Sequence, residues 1–291
     1  MRFRLATACL LLTATASGWP ACAAPLTIVA AENVYGDVAA QIGGADVNVT
    51  SIISAPAQDP HQFEGTAGAA RALAGADIVI ENGANYDPWI DRLLANTTSP
   101  QRRVIVVADL MHRTPGDNPH LWYDPKAMPL LAAKLADDLT ARSPARAEYY
   151  RLRLKAFFDS LAPIAARIEA LRAKYAGTPV TATEPIFGDM ANAVGFDMRN
   201  LRFQLAVMNG TEPGAHDLAA MQDDLTNRKV KLLLYNSQVG DNLTERLRAL
   251  ARAAKVPVVG VSETEPPGKN FQQWIVEELD AIDKALAGSA T

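Results

Sequence analysis

The chain has 291 residues, 49% of them apolar, two cysteines and a formal net charge of −4. That length buries a sizeable core and suggests two domains or one large one. Its basic residues are scattered rather than striped, which argues against nucleic acid as a partner, and a monomer is expected.

Arg2 and Arg4 precede an apolar stretch from Leu5 to Ala16 that is too short to span a bilayer. The N-terminus therefore reads as a secretory signal rather than an anchor. Ala21-Cys22-Ala23 has the small-x-small pattern of a cleavage site, which puts the signal peptide at residues 1–23 and the mature start at Ala24. Lipid attachment at Cys22 is the alternative. Cys9 and Cys22 both fall in the leader, so the mature, periplasmic chain must be held by packing alone. No later segment is apolar for long enough to cross a membrane.

Leu26 to Ala30 is a β-rich run, and the helical pattern after Tyr35 leads to a second such run at Val47 to Ile53. The alternation continues with Ala67 to Ala74 as helix, Asp77 to Ile80 as strand, Trp89 to Leu94 as helix and Arg103 to Val107 as strand. Such order implies a parallel sheet covered by helices. From Ala145 to Tyr175, Leu154, Phe157, Phe158, Leu161, Ile164, Ile168 and Leu171 recur at helical spacing, which predicts one long amphipathic helix bent by Pro163 and stopped by Gly177 and Pro179. Beyond it, strands at Val180 to Ala182, Lys231 to Tyr235 and Pro257 to Val261 alternate with helices at Phe187 to Val194, Ala215 to Asn227 and Leu243 to Ala254. A helix from Phe271 to Leu286 closes the chain. The expected fold is α/β: an N-terminal lobe (24–144), a linking helix (145–176) and a C-terminal lobe (177–291), each lobe with a mostly parallel sheet flanked by helices.

Four histidines occur, and two share a context. His61 lies in Asp59-Pro60-His61-Gln62-Phe63-Glu64, and His120 in Asn118-Pro119-His120-Leu121-Trp122-Tyr123-Asp124. Proline fixes the backbone just before each imidazole, and Asp or Asn ahead of it caps the turn, so both rings start from restrained positions suited to metal ligation. Taken singly, either fits a surface or capping histidine as well. His112 and His216 lack this context and read as solvated.

With these motifs, and with Ala76-Asp77-Ile78-Val79-Ile80-Glu81-Asn82-Gly83 followed by Asp87-Pro88-Trp89, the mature chain resembles the zinc and manganese solute-binding proteins of ABC transporters. The resemblance implies two lobes joined by a long rigid helix. It also implies one divalent transition-metal ion (Mn²⁺ or Zn²⁺, with Fe²⁺ as a further candidate) as the transported ligand, and a membrane permease as partner. It assigns one metal ligand to each of His61 and His120. The third follows the first strand after the long helix, where Glu184 stands in Thr183-Glu184-Pro185; a helix-start acid is the other reading. The fourth is usually an Asp before the closing helix. Val261-Ser262-Glu263-Thr264-Glu265 has none, so Glu263 is the best match and Glu265 the fallback, pointing to solvent if Glu263 binds. Tyr235-Asn236-Ser237-Gln238 is a further candidate for the cleft wall. Two imidazoles and two carboxylates without thiolate disfavour copper(I), and two carboxylates without a histidine-rich loop lean towards manganese. Such a shell binds rather than catalyses, so no enzyme is expected. The alternatives are a metal-chelate or organic-ligand binder on the same scaffold, and a secreted metallohydrolase, for which no HExxH-like motif is present.

Overall fold

The computed structural model describes residues 24–55, 60, 63–97 and 99–288. The signal-peptide reading, Cys22 and His61 lie outside the described residues. The first half builds β1 (Leu26–Glu32), α1 (Asn33–Gly43), β2 (Val47–Ile53), α2 (Ala67–Ala74), β3 (Ile78–Glu81), α3 (Pro88–Ala95), β4 (Arg103–Val106), α4 (Val107–Leu110) and α5 (Ala127–Arg142). Then come α6 (Ala147–Ser160) and α7 (Ala162–Tyr175). The second half holds β5 (Pro179–Ala182), α8 (Gly188–Val194), β6 (Asp197–Arg199), α9 (Leu201–Met208), α10 (Ala215–Thr226), β7 (Leu233–Asn236), α11 (Asn242–Ala253), β8 (Val258–Val261) and α12 (Phe271–Gly288).

Two four-stranded parallel sheets result, in the orders β2-β1-β3-β4 and β6-β5-β7-β8. The α/β expectation is met, and each lobe repeats the other's topology. Strands buried on both faces read as continuous apolar runs. Ile28, Ala30, Ile78 and Ile80 face one cluster, while Val29, Ala31 and Val79 face another with Trp89, Ile90 and Leu73 of the flanking helices. In the second sheet Val180, Ala182, Leu234 and Val261 turn one way, and Leu233 turns the other, towards Phe203, Met221, Leu225 and Leu247. The first of these clusters does not stop at a lobe boundary. It runs from Ile28 and Leu131 through Trp122, Tyr123, Ile164 and Ile168 to Phe187, Trp274 and Ile282.

The long helix expected from Ala145 to Tyr175 is present and bent: α6 and α7 meet at Leu161, whose own backbone stays right-handed helical with φ −81° and ψ −11°. Pro163, in the first turn of α7, removes a backbone N–H from the ladder at the bend. Four elements have no counterpart in the sequence reading. Helix α5 is alanine-rich with a proline in its first turn, yet it buries Met128, Leu131, Leu135 and Leu139. Strand β6 is three residues long and mostly exposed, α4 is a single turn, and α9 follows Asn200, whose φ of 61° reverses the chain.

In each sheet the strand order reverses beside the first strand, and in open α/β sheets ligands bind outside the carboxyl ends of strands at such switch points. The ends of β1 and β3 deliver Glu32 and the 82–87 turn; those of β5, β7 and β8 deliver Glu184, Asn236 and Glu263.

Candidate metal centre

His120 is fully buried and begins the 3-10 turn Leu121–Tyr123. Its Nδ1 lies 2.7 Å from Asn118 Oδ1. The amide orientation is fixed independently, because Asn118 Nδ2 donates to Pro185 O at 2.9 Å. Nδ1 therefore carries a proton, which leaves Nε2 as the nitrogen that bears the lone pair whenever the ring is neutral. Asn118 thus ties His120 of one lobe to the turn that follows Glu184 in the other. Tyr86 and Trp122 set their rings edge-on to the imidazole, with centroids 5.8 and 5.5 Å away.

Glu184 ends the extended backbone after β5 and precedes Pro185, whose fixed φ opens a 3-10 turn. It stands at the N-cap of that turn, where its side chain makes no capping hydrogen bond. It lines a cleft of about 630 Å³ between the lobes, together with Tyr86, Asp117, Met208 and Asp241.

Glu263, on the loop after β8, is buried and held on both oxygens: Tyr86 Oη donates to Oε2 at 2.6 Å, and Asn236 Nδ2 donates to Oε1. Gln238 Oε1 accepts from the backbone N–H of Glu263 and Thr264 at 2.6 and 2.9 Å, fixing the loop itself. Asn236 and Gln238 therefore hold the carboxylate and its loop. The expectation that Glu265 points to solvent is corrected: it is buried, and its backbone N–H and C=O are clamped by the Asn33 side chain at 3.0 and 2.8 Å. Burial, with Asp37 nearby, pushes its carboxyl up to about 9. His112 and His216 are exposed.

The 82–87 turn aims Tyr86. Gly83, Ala84 and Asn85 all have left-handed φ, and Asp87 closes the turn by accepting from the N–H groups of Asn82 and Gly83 at 2.7 and 2.8 Å. Only glycine fits at position 83, where a Cβ would lie 2.5 Å from Val106 Cγ1. Burial and the negative charges of Glu263 and Glu32 raise the Tyr86 phenol well above its ordinary value, so it remains a donor. Glu32 has both oxygens buried without a hydrogen-bond partner among the described residues; burial, Asp87 and Glu81 raise its carboxyl well above the usual range.

Among the described residues, no three His, Cys, Asp or Glu side chains are grouped to hold a metal ion. His120 is buried in one lobe; in the other, Glu263 is clamped and Glu184 lines the cleft. The sequence reading missed Tyr86, whose motif drew notice only for its flanking Asp87-Pro88-Trp89, and also Glu32 and Asn33, which carry no sequence signal. The part of Asn118 stood in the motif unrecognised.

Comparison with known proteins identifies the fold and the family. Manganese-binding lipoprotein MntA of Halalkalibacterium halodurans is 30% identical over 141 residues, which are 47% of this chain and 46% of that protein. Zinc-binding protein TroA of Treponema pallidum is 24% identical over 89% of this chain and 88% of that protein. The solved structure of the periplasmic zinc-binding protein TroA from Treponema pallidum shares the fold, with a TM-score of 0.76 at 20% identity, over 90% of this chain and 99% of that one. With residues 28–285 matching its family pattern, the chain belongs to the family of the periplasmic zinc-uptake complex component A.

Proposed function

We propose that this chain captures one divalent transition-metal cation in the cleft between its lobes and delivers it to the membrane permease of an ABC transporter. Mn²⁺ and Zn²⁺ are the first candidates, and Fe²⁺ the next. The donors are His61, His120, Glu184 and Glu263, with residues 1–23 removed on export to the periplasm. The observation that carries the reading is a locked, buried His120 in one lobe and a clamped, buried Glu263 in the other, both in contact with Tyr86. Two neutral imidazoles and two carboxylates balance a divalent charge and suit borderline cations. A shell filled by protein donors leaves no open position for an activated water, so the role is binding rather than catalysis. Among the described residues, the cleft lining includes Asp117, Glu184 and Asp241 and no Lys or Arg, which favours a cation over an anionic chelate.

Native mass spectrometry with elemental analysis of the exported protein tests this. One equivalent of metal is expected, released as the pH falls towards and below about 6.5, where free imidazole protonates. E184Q and E263Q should each bind more weakly and release faster. Unchanged release in both would mean that the second lobe does not hold the ion.

A further inference from the structure

We propose that Tyr86 is a positioning residue of the metal centre: its hydroxyl, projected from the first lobe, holds Glu263 of the second in the conformation from which it meets the ion, and so governs how long the closed cleft retains its cargo. This rests on Glu263 being a donor to the ion.

Glutamate has one more torsion than the aspartate usual at this place, so an unrestrained Glu263 would sample several rotamers at the end of its chain. Two donors remove that freedom, Tyr86 on Oε2 and Asn236 on Oε1. Each carboxylate oxygen has two lone pairs, so one hydrogen bond on each does not by itself exclude a cation. The seat and the ion are therefore compatible. The two donors differ in where they stand. Asn236 and Glu263 end adjacent strands of one sheet, so their bond is independent of the other lobe. Tyr86 reaches across the cleft, and its bond exists only while the lobes are together. The same ring packs against His120, so one side chain touches a proposed donor in each lobe. Its own freedom is small: it is buried, its ring is wedged edge-on to Trp122 with centroids 5.2 Å apart, and the left-handed turn closed by Asp87 fixes its backbone.

Y86F removes one oxygen and keeps the ring packing. In the full mature chain loaded with Mn²⁺ or Zn²⁺ and chased with excess chelator in stopped flow, Y86F should release metal about ten- to a hundredfold faster, the loss expected for a buried hydrogen bond to a charged group. Association should change little. The visible spectrum of the Co²⁺-loaded protein should shift, because the geometry at the ion changes; loss of packing elsewhere would not do this. In an E263Q background the added effect of Y86F should largely vanish. The proposal is overturned by wild-type release and spectrum in Y86F, by slower release in Y86F (the hydroxyl then competing with the ion for Glu263), or by an undiminished Y86F effect in E263Q. It also falls if E263Q alone retains full affinity, since Glu263 is then not a donor. Failure of the wild-type chain to bind either metal would instead sink the proposed function as a whole.

Discussion

Glu278, on α12, anchors the start of the loop that carries Glu263, and its bonds pose a proton-counting problem with a testable answer. Its Oε1 accepts from Trp274 Nε1 at 2.8 Å and from Ser262 N at 3.1 Å. Its Oε2 lies 2.7 Å from Tyr123 Oη, which also lies 2.8 Å from Ser262 O. A phenol has one proton and faces two acceptors, so a second proton is needed if both contacts are to be hydrogen bonds. Burial pushes the Glu278 carboxyl up to about 7, so the neutral acid supplies that proton on the acid side of neutrality. E278Q mimics the neutral acid: its amide donates to Tyr123, its carbonyl accepts from Trp274 and Ser262, and the cost should be under about 1 kcal/mol. E278L strands the buried Trp274 N–H and leaves the Ser262 N–H with Tyr123 Oη at 3.3 Å as its acceptor, a loss of about 1–3 kcal/mol. Because the folded value lies above that of an exposed carboxyl, this group's stabilisation is complete at low pH and is lost as pH rises through about 7. Urea unfolding of the metal-free protein at pH 6 and pH 8 should therefore show E278Q gaining on wild type at pH 8, with unchanged denaturant slope. Equal losses in the Gln and Leu variants, or a gap between Gln and wild type that is the same at both pH values, would refute the reasoning.

Asn118 fixes the tautomer of His120 and reaches the Glu184 turn, so N118A should lower Zn²⁺ or Mn²⁺ affinity by about 10–100-fold in competition with a chromophoric chelator; full affinity would show that it orients neither. Burial raises Glu32 well above the carboxylate range and Glu81 to about 8, so their contribution to stability is complete at acid pH and is lost as pH rises through these values. The metal-free protein should melt lower at pH 9 than at pH 6, with a shallower fall in E32Q; a melting temperature that rises across that window would contradict this. Buried Asp224 receives Arg199 at 2.8 and 2.9 Å and Asn200 at 2.9 Å, and with Arg199 partly exposed D224A should cost about 1–3 kcal/mol in the same urea assay.

Most of the fold was legible because it is written in period-2 and period-3.6 apolar patterns, and β1, β2, α2 and α11 fall within a residue or two of their expected bounds. What escaped was local structure with a weak pattern. Alanines give α5 little contrast between its faces, and β6 has no apolar alternation because both of its outer residues are exposed. At the site, the sequence motifs point to the side chains with metal-binding chemistry, but the groups that hold those side chains act at long range. Tyr86 is 177 residues from Glu263, and Asn33 is 232 from Glu265. Such pairings depend on how one lobe sits on the other, which no local pattern encodes. Glu265 was misread for a related reason: a glutamate between threonine and proline looks like surface, and only the chain folding back over it buries it.

The apolar cluster that passes from the first sheet through α7 to α12 also bears on how far the two halves can be treated as modules. Identical strand orders invite the idea of interchangeable parts, each cut out, exchanged or studied alone. Yet severing the chain at Leu161 would strip Tyr123 of its ring neighbours Phe187 and Trp274, and would expose apolar surface on both pieces. Neither half owns a complete interior. The molecule should therefore melt in a single calorimetric transition despite its doubled architecture, and a fragment of either half should aggregate or stay unfolded until it meets the other.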